Sequence, residues 1–593
     1  MKVKANEGFL TAPAGGTAAE CPPYTDEPDY RYYDRQVRAA LARVTGGISL
    51  ISLGLAGVDW GLQTALAPGK LAHAAVDWAR GWLDDTVRWL PLSDAPPAIP
   101  STESRFADEG WQAWPYRCWR DAFLRNEAFW QSLTSDVDGL SRHHQRVAAF
   151  CMRQWTDMCS PGNVWWMNPA VVRETQRTCG TNFVQGTRHW AEDFADMAAN
   201  LPGADPRPRQ LAYMPGKDVA ITPGKVVFRN ALLELIQYTP STEAVWKEPV
   251  LIVPSWIMKY YILDLQPHDS LVRYLVEQGH TVFMISWKNP GDEARDRGLH
   301  DYLHDGILAA LYAAQARCEG ACVHVAGYCL GGTLLAICAA KLARDTDGDP
   351  LASVTFFATE TDFTEPGELG LFIDKSAVAT LDALMWSQGY LDGPQMTSAF
   401  QMLNARDLIW SRMMSEYLLG QRLRANDLIS WNRDITRLPY RLHSECLHKL
   451  FLANELAEGK LCVGGRPVAL SDLNRPIFMV GTEHDHVSPW RSVYKLHLLT
   501  RTALTFLLTS GGHNAGIVSE PDHPRRRYRF TTRKPGDPYL SPERFLTHAE
   551  YHEGSWWPAW SHWLADRSSA KCQPRDPAPG AVCDAPGRYV MEP

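Results

Sequence analysis

The run His324-Val-Ala-Gly-Tyr-Cys329-Leu-Gly-Gly332 constrains this chain more than any other stretch. Apolar residues Val323 to Ala326 lead into Gly327-Tyr-Cys-Leu-Gly331, and helix formers follow from Thr333 to Leu342. A strand, a tight turn and a helix are expected. The Gly-x-nucleophile-x-Gly spacing is that of a nucleophile elbow, with cysteine at the position of the more familiar serine. Gly327 and Gly331 would let the strand and helix backbones pass close to the strained turn. The helix start would aim backbone N–H groups at the reacting centre and favour a developing oxyanion. A buried structural cysteine beside a Gly-rich turn has the same local pattern, so the residues downstream decide between the two.

From about residue 216 to 565, apolar runs alternate with helical segments. Val226–Phe228, Leu232–Tyr238, Val250–Val253, Thr281–Ser286, Val323–Ala326, Val354–Ala358, Ile477–Val480 and Thr505–Leu508 read as strands. Continuous apolar strands separated by helices imply a mainly parallel sheet covered on both faces. Ligands of such sheets sit beyond the carboxyl ends of the strands, where Cys329 falls. A largely helical insertion at about 360–450 interrupts the alternation and is expected to cap that end. Residues 566–593, with Pro574, Pro577, Pro579 and Pro586, read as an irregular C-terminal tail.

Residues 1–28 are rich in Gly, Pro and Thr without periodicity and are expected to be disordered. Residues 29–215 read as a helical N-terminal domain, divided by a proline-bearing linker at 91–102. Ile48–Val58 is its most apolar stretch, and is too short for a membrane span, which needs about 20 residues. Leu71, Ala75, Trp78, Trp82 and Trp89 recur at helical spacing, as a core face or as an amphipathic surface. Trp111, Trp114, Trp119, Phe123, Phe129 and Trp130 are expected packing residues beyond the linker. The formal charge of −8 leaves no basic footprint for nucleic acid. The 13 cysteines are scattered without zinc-ligand spacing, so no metal is expected. Met1-Lys-Val-Lys-Ala-Asn-Glu-Gly lacks the apolar core of a signal peptide, which points to a reducing cytoplasm.

A cysteine nucleophile needs a base, and the base an orienting acid. Asp485 follows the strand Ile477–Val480, and His513 follows the strand Thr505–Leu508 on the Gly-rich loop Ser510-Gly-Gly-His-Asn-Ala-Gly516. Both stand at strand carboxyl ends, in the chain order of an α/β-hydrolase fold. Glu483 is the rival orienter, and His484 and His486 are rival bases. Oxyanion donors would be the Leu330 N–H and an N–H of the loop after the first parallel strand, with Ser255 and Trp256 as candidates. Pro254 has no N–H to give. Cysteine suits acyl transfer from a thioester, because a thioester intermediate keeps the acyl potential that a serine ester would lose. A Cys-dependent hydrolase, either thioesterase or polyester depolymerase, is the alternative.

Longer strings extend the comparison. Lys259-Tyr-Tyr-Ile-Leu-Asp-Leu-Gln-Pro267, Glu277-Gln-Gly-His-Thr-Val-Phe283, Ser286-Trp-Lys-Asn-Pro290, Asn426-Asp-Leu-Ile-Ser-Trp-Asn432, Asp485-His-Val-Ser-Pro-Trp490 and Gly554-Ser-Trp-Trp-Pro558 accompany the elbow. With them the chain resembles the class I polyhydroxyalkanoate synthases, also called poly-beta-hydroxybutyrate polymerases, from about 105 to its end. Residues 31–95 resemble the N-terminal segment that some of them carry. The resemblance implies polymerisation of a (R)-3-hydroxyacyl-CoA, short-chain 3-hydroxybutyryl-CoA, into polyester with release of CoA. Cys329 would be acylated, His513 would activate the hydroxyl, and Asp485 would support it. Coenzyme A enters as part of the substrate, with no other cofactor. A cytoplasmic homodimer at the surface of a polyester granule is implied. The loop Pro254-Ser-Trp-Ile-Met258 departs from the family pattern, as do Asn514 and Ser488, each beside the expected site.

Overall fold

The computed structural model describes residues 29–89, 104–199, 211–345, 349–403, 405–422 and 425–593. The expectations for residues 1–28 and for the linker at 91–102 lie outside the described residues.

Among the described residues, the strands β1 (Gly224–Arg229), β2 (Leu233–Tyr238), β3 (Val250–Val253), β4 (Val282–Trp287), β5 (Val323–Tyr328), β6 (Leu351–Phe357), β7 (Ile477–Thr482), β8 (Leu504–Thr509), β9 (Arg527–Arg533), β10 (Glu550–Glu553) and β11 (Cys583–Asp584) form one sheet. Its order is β10-β9-β8-β7-β6-β5-β3-β4-β2-β1-β11. The six central strands β3 to β8 are parallel, and both flanks are antiparallel. The chain leaves β3 toward β4 on one side and returns to β5 on the other. That reversal opens a crevice at the carboxyl ends of β3 and β5.

Alternation explains why the central strands are apolar throughout. Leu251, Val253, Phe283 and Ile285 enter one core cluster, and Val250, Ile252, Val282 and Met284 enter the other. A period of two places neighbours on opposite faces, and here both faces are covered. The strands β9 and β10 escaped the sequence reading for a physical reason. Glu550-Tyr-His-Glu553 is polar, as an edge strand is when it must resist further pairing, and Arg527-Tyr-Arg-Phe-Thr-Thr-Arg533 beside it is polar because it is only half-buried.

Seven helices precede the sheet among the described residues: α1 (Asp29–Val44), α2 (Leu50–Ala65), α3 (Pro68–Trp89), α4 (Tyr116–Thr134), α5 (Arg142–Met158), α6 (Pro169–Arg177) and α7 (Thr181–Ala199). They lean on the insertion rather than standing apart. Ala56, Val147 and Phe150 share a buried cluster with Leu371 and Leu403 of the insertion. Arg105 and Arg406 are paired with the buried carboxylates of Glu127 and Asp157, across both regions. Trp78, Trp82 and Trp89 make edge-to-face contacts at 5.8 and 5.5 Å, and Trp78 meets Phe129 of α4. Trp114 is 75% exposed and does not pack, whereas Trp111 is fully buried. No single helix among the described residues is long and apolar enough to cross a membrane.

The tail beyond 566 is not loose. Lys571–Cys572 pairs with Val245–Trp246, and β11 extends the sheet beside β1. Near its end, the backbone N–H groups of Arg588 and Tyr589 donate to Glu234, at 2.8 and 3.0 Å. Glu234 is completely buried. The Lys259 ammonium donates to the carbonyls of Val590 and Glu592 at 2.7 and 2.6 Å and pairs with Asp434 at 3.0 Å. A proline-rich composition hid these bonds, because they are made by backbone groups. Ending the chain at Ala585 removes hydrogen bonds from two buried charges whose ion pairs with Arg229 and Asp434 remain, and hydrogen bonds to a charged group are worth roughly 1.5–3 kcal/mol. The melting temperature should fall by several degrees; an unchanged value would refute a clasp at the C-terminus.

Candidate active site

Cys329 sits between β5 and the helix α8 (Leu330–Asp345). Its φ is +54°, in the left-handed region that cysteine rarely adopts. The turn is held from both sides. The Cys329 N–H donates to Phe357 O at 2.9 Å, and the Cys329 carbonyl accepts from Gly332 N at 2.9 Å. A Cβ at Gly331 would collide with the carbonyls of Val253 and Pro254, and one at Gly327 with the Gly332 backbone. The elbow therefore needs glycine at both positions so that β3, β5 and α8 can converge.

The loops after β7 and β8 bring two groups to this turn. His513 Nδ1 lies 2.9 Å from Asp485 Oδ2, and His513 and Cys329 line the same cavity. The Asp485 carboxylate accepts further bonds from Thr482 Oγ1 at 2.9 Å, Val487 N at 2.9 Å and Ser488 N at 2.7 Å. Burial pushes Asp485 up, but the facing imidazolium and these donors hold it below the ordinary aspartate range. Burial depresses His513, yet the charges of Asp485 and Cys329 raise it well above the ordinary histidine value. Among the rivals, Glu483 is engaged by Arg527 at 2.9 Å. His484 and His486 line the cavity, while the Asp485 carboxylate is committed to His513.

Above these groups lies a cavity of about 860 Å³. Its walls come from three regions: the elbow and the loop after β3, the insertion with Phe372 and Leu381, and the turn Gly46–Leu53 between α1 and α2. Leu330 and Ser255 line it. Trp256 does not, and its indole instead packs in the core against Tyr302 at 5.8 Å. Of the two oxyanion candidates after β3, only Ser255 borders the space where substrate could sit.

Sequence reasoning missed three supports. Tyr328 stacks on the His513 ring at 5.5 Å and donates its hydroxyl to Asn514 Oδ1 at 2.6 Å. Asn514 had stood out only as a departure in the histidine loop, and its amide ties that loop to the residue before Cys329. Residues 46–53 reach the cavity although they lie far from it in sequence, which no local pattern could signal. Glu360, buried beyond the end of β6, is the third.

The Asp485–His513 pair has a pH signature. A lowered aspartate contributes stability that is present above its unfolded value near 4 and lost as pH falls. A raised histidine contributes stability present below about 6.5 and lost as pH climbs through its folded value. The melting-temperature gap between wild type and Asp485→Asn should be widest between about pH 4.5 and 6.5 and should narrow toward alkaline pH. A gap independent of pH would show that the pair is not charged.

Residues 28–70 match the family model described as poly-beta-hydroxybutyrate polymerase N terminal. Residues 102–275 match the poly-beta-hydroxybutyrate polymerase (PhaC) N-terminus, and 248–520 the alpha/beta hydrolase fold. The chain is 38% identical to a poly(3-hydroxyalkanoate) polymerase of Methylorubrum extorquens over 498 residues, 83% of this chain and 81% of that one. It is 34% identical to the poly(3-hydroxyalkanoate) polymerase subunit of Cupriavidus necator over 550 residues, 91% of each. With its sheet, elbow and full-length relatives in agreement, the chain belongs to the poly(3-hydroxyalkanoate) polymerase family and carries an α/β-hydrolase fold.

Proposed function

We propose that this protein polymerises (R)-3-hydroxyacyl-CoA, with short-chain 3-hydroxybutyryl-CoA as its monomer, through a thioester on Cys329. The observation that carries the reading is the His513–Asp485 hydrogen bond beside the Cys329 elbow, with Cys329 and His513 lining one large, mostly apolar cavity in a chain of this family. Cys329 Sγ attacks the thioester carbonyl as His513 takes the thiol proton. The developing oxyanion meets the Leu330 N–H at the start of α8 and an N–H of the Ser255–Met258 loop. The C–S bond to coenzyme A breaks, and His513 returns the proton to the departing thiolate, so free CoA leaves. In the second step His513 removes the proton from a 3-hydroxyl group. That oxygen attacks the Cys329 thioester, an ester forms, and the proton goes back to the Cys329 sulfur.

Asp485 fixes the imidazole tautomer in both steps and stabilises the imidazolium. Tyr328 and Asn514 keep the ring in register. The apolar walls from the insertion and from residues 46–53 keep water from the thioester, which would otherwise be hydrolysed. No resident cofactor enters, since coenzyme A belongs to the substrate.

The polymer is water-insoluble, and α2 supports a surface role. Ile51, Leu55, Val58 and Leu62 are exposed on it at helical spacing, next to the cavity-lining turn. In this reading α2 faces the surface of a polyester granule in the cytoplasm, and the enzyme works as a homodimer. Leu55→Ser with Leu62→Ser should move protein from the granule pellet to the supernatant; unchanged partition would refute that contact.

The reaction is tested with (R)-3-hydroxybutyryl-CoA, by following thiol release and weighing chloroform-soluble polyester. Release with polymer, with both lost in Cys329→Ala, is the expected result. Release with only free hydroxy acid would make the protein a hydrolase.

A further inference from the structure

One carboxyl group beside the elbow takes no part in the mechanism above. Glu360 follows β6, next to β5 in the sheet, after Ala358 in a left-handed conformation with φ +45°. The segment is bolted to the nucleophile turn. The Glu360 carbonyl accepts from Thr333 Oγ1 of α8 at 2.8 Å, and Thr359 Oγ1 donates to the Cys329 carbonyl at 3.3 Å. Glu360 is 5% exposed, and its Oε1 is buried without a hydrogen-bond partner. Yet the residue lines the same cavity as Cys329 and His513. A buried polar atom with no partner costs roughly 1–3 kcal/mol, so its retention at the wall of a reaction chamber calls for a ligand.

The charge state of Glu360 limits what it can do. Burial raises its carboxyl well above the ordinary glutamate range, and the negative charges of Cys329 and Asp485 add to that. His513 and Lys495 act in the opposite sense and do not cancel it. A further negative charge in the buried space shared with Asp485 is avoided by keeping the proton. A neutral carboxylic acid is a poor base, which leaves proton abstraction to His513. It is, however, both a donor and an acceptor, as an alcohol is.

We propose that Glu360 is a specificity-determining residue that grips the 3-hydroxyl group of the monomer as it acylates Cys329. The inference rests on the synthase reading above. In a 3-hydroxyacyl thioester the hydroxyl-bearing carbon is two bonds from the carbonyl carbon that joins Sγ. A polar group beside the nucleophile is therefore within reach of it, and the phenyl and alkyl walls formed by Phe363, Leu330 and Ile257 are not able to replace that bond. A site built to hydrogen-bond a substrate hydroxyl discriminates strongly against the analogue that lacks it, because its own polar group is then left unpaired.

The test compares first-turnover CoA release from (R)-3-hydroxybutyryl-CoA and from butyryl-CoA, in wild type, Glu360→Gln and Glu360→Leu. Wild type should prefer the hydroxylated substrate. Glu360→Leu should lose that preference by about tenfold, through slower acylation by the hydroxylated substrate only, while Glu360→Gln keeps most of it. The wild-type preference should also decline at alkaline pH as the carboxyl ionises, and the decline should be absent in Glu360→Gln. A raised glutamate is most favourable to the fold below its unfolded value near 4.3 and loses stability as pH rises. Both variants should therefore melt higher than wild type at pH 8, which a purely structural role for the carboxyl would not give. Equal preference in wild type and Glu360→Leu would overturn the proposal, as would a Glu360→Gln pH profile that follows wild type. If wild type releases no CoA from either substrate, the synthase reading itself fails, and that outcome is distinct.

Discussion

The left-handed turn at Cys329 is the constraint on which the rest of this molecule depends. A non-glycine residue at positive φ is strained by on the order of 1–3 kcal/mol and persists only where its surroundings over-determine it. Here they do so from three directions. β6 accepts the cysteine N–H at Phe357, α8 closes onto its carbonyl through Gly332, and the glycines at 327 and 331 let β3 approach. The parallel sheet, buried on both faces, supplies the rigidity that holds the turn. The outcome is a side chain lifted out of the sheet at the point where strand order reverses, with a helix start beneath it.

Around that fixed point the mobile-looking parts of the sequence become structural. The C-terminal segment clasps Lys259, whose neighbours Ser255 and Met258 line the cavity. The N-terminal helices press on the insertion, and their first turn completes the cavity wall. One chamber thus receives residues from positions 46 to 515 of the polypeptide, while the far end of the chain grips the lysine in the chamber wall. Such a design suits an intermediate that water would destroy, because each wall removes solvent from the thioester.

Much of this was legible in the residues, and the boundary of legibility is physical. The central strands β3 to β8 could be read because burial on both faces makes them apolar without a break. The elbow could be read because sterics demand its glycines, and Asp485 and His513 because each follows an apolar strand within a few residues. The outer strands β9 and β10 could not, since strands at the exposed end of the sheet are half-buried or exposed and carry arginine and glutamate in place of apolar side chains. The Trp256 side chain turns into the core while Ser255 borders the cavity, because a one-residue step along a loop reverses the side chain's direction. The reach of residues 46–53 into the cavity, the Tyr328–Asn514 bond and the clasp on Lys259 join positions distant in sequence. Contacts of that kind arise from packing and leave no local pattern.

The covalent thioester on Cys329 is the step through which every proposed role passes. Enzyme mixed with (R)-3-hydroxybutyryl-CoA, quenched in acid within the first turnover and mapped by peptide mass, examines it directly. The expected result is a 3-hydroxybutyryl adduct on the peptide bearing Cys329, removed by hydroxylamine and absent from Cys329→Ala. An adduct on another residue, or CoA release that persists in Cys329→Ala, would contradict it.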